Sequence, residues 1–184
     1  MSLTETPICN FGEKAKNFDL TSTENKKTSL DNVKGKNGTL IMFICNHCPY
    51  VKAVIKDIVK DSKYLETLNI KSVAIMSNDV KNYPEDSFEN MISFSKTNDF
   101  TFPYLIDETQ EVAKEYGAVC TPDFFGYNKN LELQYRGRIK ELKNLKPVRE
   151  GYSDLLMAMK QIATSGKGPI NQIPSMGCNI KWFK

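Results

Sequence analysis

Ile41-Met42-Phe43-Ile44-Cys45-Asn46-His47-Cys48-Pro49-Tyr50 is the stretch that decides how this chain is read. Its apolar start reads as a buried strand. The strand ends in Cys-x-x-Cys. Pro49 then suits the first turn of a helix, where its missing N–H costs nothing. Val51, Val54, Ile55, Ile58 and Leu65 recur at helical spacing, so a helix is predicted over residues 50–68. The two thiols would stand at its N-terminus, where unpaired N–H groups and the helix dipole favour an anion. A cysteine placed there is more acidic and a better nucleophile. His47, the only histidine of the chain, lies between the sulfurs. Strand, Cys-x-x-Cys, helix is the arrangement of a thiol–disulfide redox site.

Size and composition narrow the remaining classes. The chain has 184 residues, enough for one domain whose core needs no disulfide staples. Its net charge of +3 is weak and spread along the sequence, unlike the basic patch of a nucleic-acid binder. Lys52, Lys56, Lys60 and Lys63 form a stripe that reads as a solvated helix face. No apolar run approaches the ~20 residues of a membrane span. Residues 1–16 are polar and lack a signal-peptide core. The expectation is a cytoplasmic protein with neither a membrane nor a nucleic-acid partner. Five cysteines are present: Cys9, Cys45, Cys48, Cys120 and Cys178. In a reducing compartment Cys45 and Cys48 suit catalysis or metal binding better than stapling. A single histidine rules out a His-rich metal site and makes a Ser-His-Asp hydrolase implausible.

The rest of the pattern alternates strands and helices. Residues 17–30 read as a strand, a polar turn and a return. Residues 39–44 and 71–77 read as strands, and 85–96 as a helix with Phe88, Met91, Ile92 and Ser95 on one face. A short strand at 104–106 is followed by a helix beginning at Asp107, with Gln110 as a capping-box partner and Gly117 as terminator. Residues 119–127 form a strand region that turns back through Asn128-Lys129-Asn130 into 131–138. A last helix is expected from Pro147, burying Val148, Tyr152, Leu155, Leu156 and Met159. Gly166, Gly168, Pro169 and Pro174 mark an irregular tail. This order indicates an α/β fold: a central mixed β-sheet flanked by helices, with an N-terminal β-hairpin. The expected division is an extension over 1–16, a domain over 17–165 and a tail over 166–184 packed on it.

Two motifs give a family resemblance. One is Phe43-Ile44-Cys45-Asn46-His47-Cys48-Pro49-Tyr50. The other is Cys120-Thr121-Pro122-Asp123-Phe124-Phe125. Together they resemble thioredoxin-like proteins, in the branch grouped as the alkyl hydroperoxide reductase/thiol-specific antioxidant (AhpC/TSA) family. The ending Gly177-Cys178-Asn179-Ile180-Lys181-Trp182 is similar to that of a bacterial subgroup. The resemblance implies that Cys45 attacks a substrate disulfide and that Cys48 resolves the mixed disulfide. It implies a cis peptide at Thr121-Pro122, with Thr121 and Pro122 presenting backbone groups to an extended substrate. His47 would tune the couple by stabilising the Cys45 thiolate. The partners implied are a disulfide-bearing protein or small molecule and a thiol electron donor, with no cofactor and no metal. Two positions depart from the thioredoxin pattern. Ile44 replaces the usual Trp, and Thr39 stands where many members bury a carboxylate, which leaves His47 or water to move protons.

The same residues bear on other thiols and other chemistries. Cys120 is either a third redox thiol or a small buried strand residue. Cys178 is either an accessory thiol able to resolve a sulfenic acid or an inert anchor, with Trp182 and Phe183 docking its tail. Cys9 precedes the fold and reads as incidental. A thiol peroxidase of the peroxiredoxin type would need Pro-x-x-x-Thr-x-x-Cys, and Met42 stands where that threonine belongs before Cys45. Arg136 or Arg138 would be the guanidinium of such a site. Metal binding by Cys45, Cys48 and a third thiol lacks the second cysteine pair of a structural zinc site.

Overall fold

The computed structural model describes residues 3–184, so residues 1 and 2 of the expected N-terminal extension lie outside the described residues. Strand β1 (Leu3–Glu5) precedes β2 (Asp19–Ser22), β3 (Lys27–Ser29), the short helix α1 (Leu30–Val33) and β4 (Gly38–Phe43). Helix α2 (Pro49–Thr67), β5 (Ile70–Met76), a 3-10 turn (Pro84–Asp86), α3 (Phe88–Thr97), β6 (Tyr104–Ile106) and α4 (Glu111–Tyr116) follow. Then come β7 (Cys120–Thr121), β8 (Asp123–Asn128), β9 (Leu133–Tyr135), β10 (Leu142–Lys143), β11 (Lys146–Pro147), α5 (Asp154–Ser165) and β12 (Met176–Asn179).

Seven strands make one mixed sheet in the order β3-β2-β6-β5-β4-β8-β9. Strand β4 is central, parallel to β5 and antiparallel to β8. Every residue of β4 is buried, which is why its sequence is a continuous apolar run. Alternation still sorts its side chains. Leu40 and Met42 meet the layer of α2, α3 and α5, whereas Ile41 and Phe43 meet α1 and α4. The expected central mixed sheet flanked by helices, with the hairpin β2–β3, is therefore the observed architecture.

Helix α2 carries the site, and its sequence explains its seat. Val51, Val54, Ile55, Ile58 and Leu65 are all buried against the sheet. Each contributes about 1.5–3 kcal/mol by leaving water. Lys52, Lys56, Lys60 and Lys63 all face solvent.

Three boundaries depart from the sequence pattern. The last helix begins at Asp154, not near Pro147, which lies in the β10–β11 hairpin. Ser153 is the true cap: its hydroxyl accepts from the Leu156 N–H and donates to the Asp61 carboxylate of α2 at 2.6 Å. Val148 and Tyr152 are consequently exposed, while Leu155 and Met159 are buried. Helix α4 starts at Glu111 with no side-chain cap, so Asp107 and Gln110 form no capping box. Asp107 instead accepts from the Ala113 N–H and the Ser77 hydroxyl, and Gln110 is left-handed at φ 64°.

The third departure concerns the tail, where an irregular segment was expected. Its residues 176–179 form β12, paired on one side with β1 and on the other with β7. Nothing local makes Met-Gly-Cys-Asn a strand; two neighbouring edges do. The tail is then anchored by polar contacts. The Lys181 carbonyl accepts from the Asp79 N–H and the Gln110 amide, and the Gln110 carbonyl oxygen accepts from the Phe183 N–H. Ile180 is buried, whereas the Trp182 and Phe183 rings remain substantially exposed and do not dock the tail.

Gly177 makes this pairing possible. A Cβ there would lie 2.0 Å from the Thr121 carbonyl oxygen, a backbone atom that cannot swing away. Gly177→Ala is therefore expected to dislodge β12, at a cost of about 1–3 kcal/mol. Thermal denaturation should show a lowered midpoint together with faster alkylation of Cys178. An unchanged midpoint would mean that β12 does not hold this register in solution.

Candidate active site

The end of β4 and the start of α2 place both thiols of the motif just beyond the C-terminal end of an interior strand. The Ile44 N–H donates to the Ile75 carbonyl, keeping the chain on the sheet to the residue before Cys45. Cys48 is the N-cap residue of α2 in extended conformation, and Pro49 opens the helix without wasting an N–H. Cys45 and Cys48 are both buried, and each meets Thr121. Cys45 Sγ is 3.3 Å from the Thr121 hydroxyl. Cys48 Sγ is 3.1 Å from the Thr121 carbonyl, which accepts when that thiol is protonated. The Thr121–Pro122 peptide is cis. The two motifs, more than 70 residues apart in sequence, thus converge on one point.

The loop between the cysteines is pinned by a carboxylate absent from the sequence reading. Asp86, at the end of the 3-10 turn, is completely buried. One oxygen accepts from the N–H groups of Asn46 and His47, at 2.8 and 3.3 Å. The other accepts from the Asn78 amide at 2.7 Å and faces His47 Nδ1 at 2.6 Å. Asn46 is fixed further, accepting from the Tyr104 hydroxyl and donating to the Glu85 carbonyl. No sequence spacing links Asp86 to His47. The only signal was an acidic residue in the first turn of a predicted helix, and such residues are usually solvated.

His47 serves two neighbours unequally. Cys45 Sγ lies 3.9 Å from Nδ1, but the nearer, charged Asp86 oxygen takes the Nδ1 proton. The Asp86 hydrogen bond raises the His47 pKa, against burial. Burial alone would raise the Asp86 carboxyl, yet the hydrogen bonds from His47 and Asn78 bring it below its usual value. At Cys45 the Asp86 charge opposes ionisation of the thiol. The His47 ring also stacks on Tyr83, with centroids 5.9 Å apart.

The two thiols are shifted in opposite directions. A hydrogen bond to Cys48, followed by burial and the Asp86 charge, holds the Cys45 thiol well up. Donors converge on Cys48 instead: the Cys45 thiol first, then the Cys178 thiol and the N–H groups of Val51 and Cys178, against burial. These directions favour ionisation of Cys48, at the helix N-terminus, over that of Cys45. The near-ultraviolet thiolate band should be present at neutral pH and vanish in Cys48→Ser. A band that survives in Cys48→Ser and disappears in Cys45→Ser would place the charge on the other sulfur.

The remaining candidates separate. Cys178 lies across from Thr121 in β12 and contacts Cys48, and burial, then the Cys48 hydrogen bond, pushes its thiol to about 12. Cys120 is buried and its sulfur faces the Pro122 carbonyl. Burial, reinforced by the Asp123 charge, raises its thiol, as suits a packing residue. Burial likewise pushes Cys9, away from the pair, to about 11. Arg136 is bound to the buried Asp123 carboxylate at 3.0 Å, and Arg138 to Asp154 at 2.7 Å. Cys45, His47 and Asp86 place ligand-type atoms within 4.8 Å of one another. Both Asp86 oxygens are already filled by hydrogen bonds, so this trio lacks a common open point for an ion.

Comparison with known proteins agrees with this architecture. The AhpC/TSA family model matches residues 11–142. The chain belongs to the AhpC/TSA family. A crystal structure of an uncharacterized conserved protein from Geobacillus kaustophilus superimposes with a TM-score of 0.90 at 39% identity, over 100% of this chain and 97% of that one. The thioredoxin domain of a thiol-disulfide oxidoreductase from Bacteroides vulgatus matches at 14% identity with a TM-score of 0.58, covering 73% and 89% of the two chains. That likeness shows the thioredoxin fold of this AhpC/TSA member. Thiol-disulfide oxidoreductase ResA of Bacillus thuringiensis is 30% identical over 124 residues, 65% of this chain. The match spans 65% of that relative's own length. Among the described residues of this family member, no helix is long and apolar enough to cross a membrane.

Proposed function

We propose that this AhpC/TSA protein is a thiol–disulfide oxidoreductase whose working couple is Cys45–Cys48. The observation that carries the reading is the meeting of both sulfurs with Thr121, beside Pro122, at the N-terminus of α2. The thiol-disulfide oxidoreductase name of the ResA relative supports it. Cys45 is the attacking sulfur. As it bonds to one sulfur of a substrate disulfide, its proton passes to the Cys48 thiolate that already accepts from it. The other substrate sulfur leaves with the electron pair and recovers that proton. Cys48, again a thiolate, then attacks Cys45, closes the intramolecular disulfide and releases the second substrate thiolate. The substrate is a disulfide-bearing protein or small molecule, and a thiol donor returns the couple to the dithiol. Asp86 positions the loop, and His47 stands ready to protonate a departing thiolate.

Titration in glutathione buffers, quenched by alkylation and mapped by mass spectrometry, tests this. A reversible Cys45–Cys48 couple is the expected result. Cys45 found oxidised alone, with no such couple, would overturn it. A peroxidase reading gains one group, because Thr121 brings a hydroxyl to Cys45 from a distant strand. It lacks the second, since both arginines considered for it are held by carboxylates. Stoichiometric peroxide consumption with a Cys45 sulfenic acid would favour it.

A further inference from the structure

The edge on which an extended substrate would lie is already occupied. Cys178 is the register partner of Thr121, and Asn179 that of Cys120. An extended segment on a sheet edge delivers alternate side chains to whatever lies beneath. Here the delivered side chain is a thiol. Cys178 hydrogen-bonds to Cys48 through its own sulfur and through its backbone N–H. All three cysteines are buried, Cys178 at 4% exposure, Cys45 at 1% and Cys48 at 0%. The approach is built in. β12 is paired on both sides, Gly177 permits the close passage over Thr121, and Gln110 and Asn78 hold the chain beyond it.

We propose that Cys178 is an internal exchange partner of the dithiol, converting the Cys45–Cys48 disulfide into a Cys48–Cys178 disulfide. The proposal rests on the oxidoreductase reading. The Cys178 sulfur bonds to that of Cys48 and the Cys45–Cys48 bond breaks. Its electron pair leaves on Cys45, which takes up the proton lost by Cys178. The oxidation level does not change. In the reduced protein the Cys48 anion helps hold Cys178 protonated. Once Cys48 is in a disulfide that charge is gone and only burial opposes ionisation of Cys178. The exchange leaves Cys45 as a thiol beside the Thr121 hydroxyl in an otherwise oxidised protein, ready to attack a second disulfide.

The test uses the full-length chain. Reduced protein is treated with glutathione disulfide, quenched in acid, alkylated and digested, and the linked peptides are quantified. Both Cys45–Cys48 and Cys48–Cys178 peptides are expected, in a ratio that does not change with the dose of glutathione disulfide. Cys45→Ser should give Cys48–Cys178 alone, and Cys178→Ser should give Cys45–Cys48 alone. Cys45–Cys48 without Cys48–Cys178 in the wild type overturns the proposal and leaves the oxidoreductase reading standing. Neither pair forming overturns both. The wild-type map decides alone if a variant fails to fold.

Discussion

Cys45→Ser will slow disulfide exchange steeply, leaving only direct attack by the remaining Cys48 and Cys178 thiols, whereas Cys48→Ser will accumulate mixed disulfides through Cys45. The first change removes the attacking sulfur, since an un-ionised hydroxyl is no nucleophile for a disulfide. The second leaves attack possible and resolution impossible. The proton arrangement adds a finer expectation. Cys48 bears the resting charge and receives the Cys45 proton, so its loss should also slow formation of the trapped species near neutral pH. That rate should climb with pH as Cys45 ionises on its own, still opposed by burial and by the Asp86 charge. Stopped-flow measurement with a chromogenic disulfide, alongside mass spectrometry of the trapped adduct, reads both effects. Equal activity of wild type and Cys45→Ser would sink the mechanism.

Asp86→Ala should be the most damaging change outside the cysteines. It strips the N–H groups of Asn46 and His47, the Asn78 amide and the His47 ring of one shared acceptor. Removing one partner of a buried charged pair costs about 3–5 kcal/mol. The pH dependence carries the signature of the pair. Asp86 is lowered in the folded protein, so its contribution is present above the unfolded carboxyl value of about 3.9 and fades as pH falls through the lowered one. His47 is raised, so its contribution is complete below about 6.5 and fades as pH rises through the raised value. The pair therefore stabilises most between those limits. Urea denaturation at about pH 5.5 and about pH 9 should show a wild-type excess at the lower pH that Asp86→Asn abolishes. Parallel stability profiles for the two proteins would refute the coupling.

What the sequence disclosed follows from range. The β4 run and the α2 stripe are periodic or local patterns, legible to within a residue or two, and the hairpin turn at Asn128 was legible although its strands are shorter than the pattern suggested. The Cys45 and Cys48 thiols and the Thr121-Pro122 dipeptide were legible because their residue types are rare together. Pro147 misled because a proline fits a tight hairpin as well as a helix start, while Ser153 gave the weaker-looking but correct cap. Asp86 was invisible because its value lies in partners 40, 39 and 8 residues away. Strand β12 was invisible for the same reason, since its order is imposed by edges from opposite ends of the chain.

That last pairing fixes when the thiols are covered. Leu3 meets Cys178, and Cys178 meets Thr121, so the thiols are enclosed by the first and last strands together. Chains are made from the N-terminus, and distant contacts form late because loop closure is slow to be rewarded. A growing chain therefore carries Cys45 and Cys48 for most of its synthesis with no lid over them. Pulse-labelling of nascent chains with a maleimide should find Cys45 reactive until residues beyond Met176 emerge and protected thereafter. The site acquires its third thiol and its cover in a single event, once β12 can pair with β7.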